Sequence, residues 1–343
     1  MSQRPLTEFE RTQALLRFGY TKPEANFLCT AALHSGYFLR RQYANFLSVK
    51  DGGSVSQLIE RALGIGHVKT STWLRNVQLY HLCARPLYEA LGQGDNRHRR
   101  TRALLATKTK IMGLDYVLAH ASQHYLATDR EKFDYFTGAL KLDPSVLPAK
   151  LYCASRSGLS TPRYFVEKYP LFLAGSARPD EPPVVTFSYI DEGAATLSGF
   201  ETFLRHYLRL LACLPRFAVV FIAGSDRHFE AAAQLFERIL GRDRGGVIDP
   251  LISRRLEYFK MRRLFESKEL ASFDRSKLIR LRQDQRDFSS ETDDAIYALW
   301  KVGGDAAVLQ KLAPETGCFS SISGSFSTFL LEHDYGLFGR FPG

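Results

Sequence analysis

Apolar residues in the first hundred positions recur at helical spacing, in short runs separated by glycine. Glu8–Arg17 is predicted as a short amphipathic helix closed by Gly19, the residue that best tolerates a left-handed stop. Thr21 and Glu24 stand three apart as a capping box, with Pro23 in the first turn, where a missing N–H costs nothing. Ala25, Leu28, Cys29, Ala32 and Leu33 then share one face until Ser35-Gly36 ends the run. A second helix is predicted over Phe38–Leu47, exposing Arg40, Arg41 and Gln42. Asp51-Gly52-Gly53 makes a turn, and Ser54 with Gln57 offers a box-like cap for a third helix, Val55–Leu63.

After Gly64 and Gly66 the pattern changes. Val68–Leu74 and Val77–Leu82 read as two strands around a tight Arg75-Asn76 bend. Three short helices followed by a β-hairpin predict a winged helix-turn-helix, whose third helix enters the major groove while the wing follows the backbone. That helix would present Ser54, Ser56, Gln57, Glu60 and Arg61, and its Ser and Gln side chains are short hydrogen-bonders able to reach base edges. Lys69, Thr70, Ser71 and Arg75 on the wing suit phosphates.

A helix from Arg85 to Leu91 leads into a run in which Arg97, Arg99, Arg100 and Arg102 fall within six residues. With few apolar residues to pack, this run reads as a backbone clamp, or else as a flexible basic hinge. Leu104–His120 is predicted as an amphipathic helix, and Thr128 caps another that reaches Leu140; these tie two domains together or form a dimer contact. His120 and His124 share a predicted helix face, a spacing that can bind zinc, but no acidic or cysteine partner lies nearby in sequence. Beyond, Lys150–Ala154, Tyr164–Leu173 and Val184–Ile190 read as strands, Ser198–Leu214 as a helix, Phe217–Ala223 as a doubly covered strand and Asp226–Leu240 as a helix. A basic helix, Ile252–Glu266, and a charged stretch, Lys268–Asp287, follow; Cys318–Gly343 carries no clear pattern.

The expected fold class is therefore α+β or α/β: a winged helix followed by a compact three-layer α/β domain, of a degenerate nuclease-like kind. The expected boundaries are 1–102 for the winged helix, 103–145 for linker helices, 146–245 for the α/β domain and 246–343 for a helical extension.

Charge sharpens this picture. The net charge is +10, and residues 1–110 hold 17 Lys+Arg against 7 Asp+Glu, while the rest of the chain balances at 29 of each. A one-sided excess is the electrostatic footprint of a polyanion partner. Five cysteines lie far apart without C-x-x-C spacing, which suits reduced thiols in a cytoplasmic protein better than disulfides or a structural metal. No apolar run reaches a membrane span, the start carries no signal-peptide pattern, and no membrane partner is expected. Nucleotide-loop, dinucleotide-loop and nucleophile-elbow motifs are absent, so no cofactor and no enzyme activity are expected. Asp191 and Glu192, closing a predicted strand, are the candidates for metal-dependent nuclease chemistry. Adjacent Glu167 and Lys168 point to opposite strand faces, and no lysine follows Asp191-Glu192 at the needed spacing.

The order of parts resembles the replication-relaxation family of plasmid and integrative-element proteins. The likeness spans about residues 10–240: the winged helix through His81-Leu82, the stretch Lys110–Leu118, the strand Thr186–Gly193, the helix Phe200–Leu211 and the strand Phe217–Ala223. It departs where relatives tend to carry an acidic residue inside the strand and this chain has Thr186-Phe187-Ser188. The resemblance implies DNA binding in the maintenance, transfer or regulation of a mobile element; double-stranded DNA is the expected partner, and a homodimer is expected, with the α/β domain used for dimerisation or partner docking. The alternatives are a metal-dependent nuclease or relaxase accessory, and a protein-interaction scaffold whose winged helix touches no DNA.

Overall fold

The structure, a computed structural model, describes residues 5–74, 77–153, 160–166, 169–175, 182–193, 195–241, 250–267, 273, 275–312, 324–333 and 335. The chain is mixed α+β and divides into two compact units, one of residues 1–241 with 322–343 and the other of residues 242–321.

The first unit begins with α1 (Glu8–Leu16), whose N-cap Thr7 forms a capping box with Glu10, and α2 (Lys22–His34), boxed by Thr21 and Glu24. A short strand, β1 (Tyr37–Leu39), precedes α3 (Arg40–Phe46) and α4 (Gly53–Gly64). The hairpin of β2 (Val68–Leu74) and β3 (Val77–Leu82) completes an antiparallel sheet in the order β1-β3-β2. The second helix is thus shorter than the sequence pattern predicts, because Phe38 and Leu39 pair with Tyr80 and Leu79 of β3. Three residues are too few to display a period of two, so β1 leaves no signal of its own. Phe27, Leu28, Phe38, Tyr43, Leu58 and Tyr80 lead the core between this sheet and the helices.

After α5 (Arg85–Ala90), α6 (Leu104–Ala119) does not have the one-sided apolar face expected of it. Leu114 joins the core of the small sheet, whereas Ile111, Met112 and Tyr116 join a second core with Ile190, Val220 and Ile222. A helix apolar all round is a buried one. Residues 102 and 103 therefore mark no domain boundary, since α6 belongs to both cores.

The larger sheet has the order β10-β9-β8-β7-β4. It contains β4 (His124–Tyr125), which precedes α7 (Asp129–Asp134) and the separate hairpin of β5 (Ala149–Cys153) and β6 (Ser160–Tyr164). Next come β7 (Leu171–Ala174), β8 (Val184–Asp191), α8 (Ser198–Ala212), β9 (Phe217–Ala223) and α9 (Phe229–Phe236). The strand predicted over Tyr164–Leu173 is split: Phe165 has φ 50°, and β7 begins only after Pro170. Side-chain alternation sets the layers. Val185, Phe187, Tyr189, Val219 and Phe221 meet α8 and α9, while Ile190, Val220 and Ile222 meet α6.

In the second unit, α10 (Pro250–Glu266), α11 (Arg275–Asp287) and α12 (Glu291–Leu312) pack around Phe259, Phe288, Tyr297 and Trp300. The chain then supplies β10 (Gly324–Leu330), parallel to β9, at the edge of the larger sheet. The expected helical extension over 246–343 thus ends in a strand of the first unit. Among the described residues, no helix is long and apolar enough to cross a membrane.

Candidate nucleic-acid interface

Helix α4 buries Val55, Leu58, Ile59 and Ala62, at spacings of three and four, so its other side turns outward. Ser54, Gln57 and Glu60 are exposed there, and Ser56 is half-buried. The N-cap is Gly52 rather than Ser54, which leaves the Ser54 side chain uncommitted to capping. On the adjoining edge strand β2, Val68 and Trp73 are buried while Lys69, Thr70 and Ser71 are exposed. Arg75 lies outside the described residues.

The remaining candidates on the helices are committed to the protein itself. Arg40 grips Asp51 through two nitrogens, at 2.7–3.2 Å, and donates to Ser56 Oγ at 3.1 Å. It clamps the turn into α4 and holds the Asp51 carboxyl below its ordinary value. Arg41 makes two 2.7 Å hydrogen bonds to Asp115 of α6, and Tyr335 donates to the same carboxylate at 2.6 Å. Burial, then the Asp115 charge, pushes the Tyr335 hydroxyl up. Gln42, expected on an exposed face, is wholly buried; it accepts from Leu39 N at 2.9 Å and donates to the Ile111 carbonyl at 3.0 Å. Arg61 is ion-paired with Glu24, whose carboxylate also accepts from Thr21 N at 2.7 Å.

The arginine run is ordered by its own local chemistry. Arg97–Arg99 form a 3-10 turn capped by the Asn96 side chain. His98 points inward, and its carbonyl accepts from His81 Nε2 at 2.9 Å. A carbonyl can only accept, so Nε2 carries the proton of this bond, and burial holds the His81 imidazole below its ordinary value. Arg99 donates to the Gly94 carbonyl at 2.6 Å, while Arg100 and Arg102 are exposed. Arg97 and Arg163 of β6 both lie against the Tyr152 ring, at 5.2 and 5.0 Å from its centroid. Together with Arg99, Arg100 and Asp95 they line a cleft of about 530 Å³. Tyr152 and Arg163 carry no mark in the sequence, because they are isolated among strand residues 55 and 66 positions beyond Arg97.

This cleft and α4 occupy opposite faces of the small sheet. Tyr80 and Leu82 of β3 face the helices, while Leu79 and His81 alternate to the other side, where the 3-10 turn packs. The molecule therefore carries two polar surfaces with the edge strand β2 at their rim: Thr70, paired with Tyr80, points to the side of the helices, whereas Lys69 and Ser71, paired with His81 and Leu79, point to the side of the cleft.

Asp191 closes β8 beside Ala223 of β9 and is buried. One oxygen accepts from Gly193 N at 3.1 Å and the other lies 3.0 Å from His228 Nδ1. Glu192 is half-buried; burial, then its neighbour Asp191, raises its carboxyl, against the pull of its own backbone N–H and of Lys108. Glu167 and Lys168 lie outside the described residues. His120 and His124 are not on one helix, since α6 ends at Ala119; His120 hydrogen-bonds the Tyr116 carbonyl at 2.9 Å and His124 begins β4. Among the described residues, no group of three or more His, Cys, Asp or Glu side chains could hold a metal ion. Cys29, Cys83 and Cys213 are free thiols.

No family model, curated protein or solved structure matches this chain.

Proposed function

We propose that this protein binds duplex DNA through a winged helix-turn-helix, with α4 in the major groove and the β2–β3 hairpin along the backbone. The observation that carries the reading is the order α2, β1, α3, α4, β2, β3 with strand order β1-β3-β2, joined to an outward polar face on α4. Ser54 and Gln57 are the base-edge candidates, and Lys69, Thr70 and Ser71 the backbone contacts. Arg40, Arg41 and Arg61 position these elements rather than touch DNA. In line with the resemblance to the replication-relaxation family, the role is that of a regulator or a replication or transfer accessory of a mobile element.

The reading is tested by fluorescence anisotropy with a labelled random duplex at low salt. Lys69→Glu combined with Gln57→Ala should weaken binding about tenfold or more, the scale of one or two lost charge-assisted contacts. Asp191→Asn should leave binding unchanged. Equal affinity for wild type and the Lys69/Gln57 variant contradicts the assignment.

A further inference from the structure

The backbone of the arginine turn is fixed from both ends. The Asn96 side chain caps it, and the His98 carbonyl accepts from His81. The Tyr37 hydroxyl donates to the Arg100 carbonyl at 3.3 Å and accepts from Arg102 N at 3.0 Å. Tyr37 is itself buried and stacked on the His81 ring, with centroids 4.2 Å apart. The guanidiniums of the turn thus start from held positions, which lowers the ordering cost of receiving a ligand.

Four arginines from two elements line the cleft of about 530 Å³: Arg97, Arg99 and Arg100 of the turn and Arg163 of β6. Against them the described lining sets a single carboxylate, Asp95. Among the described residues no carboxylate ion-pairs with any of the four, whereas Arg40, Arg41 and Arg61 are each paired. Arg97 and Arg163 lie over the Tyr152 ring, and contact with a ring face steadies a guanidinium while leaving its N–H edges open. Arg99 spends Nη1 on the Gly94 carbonyl, while Arg100 and Arg163 are exposed. Like charges gathered in this way repel one another, and a bound polyanion relieves the repulsion.

The shape of the cleft narrows the kind of anion. Its volume lies within the range of small-molecule sites, roughly 300–1,000 Å³. A lining of arginines with Asp95 and Asn96 provides no apolar wall for a hydrophobic body. A lone carboxylate occupies one guanidinium fork, so several forks in one cleft call for oxygens and charges set close together. Linked phosphates supply both, and their oxygens match the fork geometry of arginine. Past Arg97 and Arg163 the cleft adjoins a pocket of about 350 Å³, where Asp129 and Arg130 add one charge of each sign and the positive balance is kept.

We infer that the cleft between the arginine turn and β6 binds linked phosphates, received by Arg97, Arg100 and Arg163. This goes beyond duplex recognition by α4 and stands on residues which that reading does not use. The full-length protein should be titrated by calorimetry with orthophosphate, pyrophosphate and triphosphate in low salt without divalent cations. Triphosphate is expected to saturate one site per chain and to bind about tenfold or more tighter than orthophosphate. Arg97→Ala and Arg163→Ala should each weaken triphosphate about tenfold, as for a lost charge-assisted pair. Tyr152→Leu, which alters no charge, should weaken it about threefold by releasing the two guanidiniums. Tyr152 and Arg163 are exposed, so these variants should fold. Arg205→Ala, which removes an exposed arginine of α8 outside the cleft, should bind as wild type does. Competition by an oligothymidylate without terminal phosphates separates the two sources of such phosphates. Displacement of triphosphate assigns them to a nucleic-acid strand, and no displacement to a free polyphosphate. The inference is overturned if triphosphate shows no saturable site, if orthophosphate binds as tightly, or if Arg163→Ala or Tyr152→Leu matches wild type.

Discussion

Arginines of the first hundred residues look alike in sequence and meet three different fates. Arg40 fastens a turn, Arg41 joins α3 to a carboxylate of α6, and Arg97 lies against an aromatic ring beside a basic cleft. The difference lies in partners. Asp115 is 74 positions from Arg41, and Tyr335 is 220 beyond Asp115, separations that no local pattern reveals. Removing one member of a largely buried ion pair leaves the other charge stranded. Arg41→Ala should therefore lower the unfolding free energy by about 2–3 kcal/mol in urea melts, discounted because the arginine is partly exposed. Lys69→Ala should stay within about 0.5 kcal/mol of wild type. Equal losses from the two would mean that Arg41 does not hold the helices together. Gln42 misled for a related reason: beside two arginines it reads as a polar surface, and only the Leu39 amide and the Ile111 carbonyl make it a core residue.

At the level of elements, caps and turns were legible where the deciding partners lie within four residues. The boxes at Thr21 and Thr128 stand where the spacing puts them. What stayed hidden was pairing: the three-residue β1, the two-residue β4 and the edge strand β10 are each defined by a partner distant in sequence. The arginine turn depends on one such pairing. Gly36 has φ +80°, and a Cβ there would lie 2.7 Å from both Cβ and the carbonyl oxygen of His98. Gly36→Ala must strain the backbone and also push the 3-10 turn away from β1. Gly19 has φ +83° with open space around it, so Gly19→Ala carries the backbone strain alone. Gly36→Ala should cost about 2 kcal/mol or more and Gly19→Ala about 1 kcal/mol. Gly36→Ala should also elute earlier from heparin, which reports displaced arginines; unchanged elution would show that the turn does not need its docking on Gly36.

For the whole molecule, the one-sided charge and the α+β class were readable from the chain, but the division into units was not. A sequence pattern shows α6 as a linker; burial on two sides makes it the common wall of two cores. The same dense packing leaves His34, His67 and His81 below their ordinary value of about 6.5, chiefly through burial. The unfolded chain takes up protons on these groups as pH falls through that value, and the folded chain resists. Their contribution is thus present above about pH 6.5 and is lost as pH falls, by up to about 1.4 kcal/mol per pH unit for each. Urea midpoints should drop between about pH 7 and about pH 5. A flat profile would mean that these histidines protonate freely in the native fold.

DNA binding itself is tested most directly by the affinity of the full-length protein for a random duplex, measured by anisotropy across a salt series. Each phosphate neutralised contributes about −0.9 to the slope of log affinity against log salt. Binding at low salt with a steep negative slope, made shallower by roughly one unit in Lys69→Ala, is the predicted result. No binding at low salt, or a slope near zero, would contradict it and leave α4 and its hairpin as a protein-docking surface.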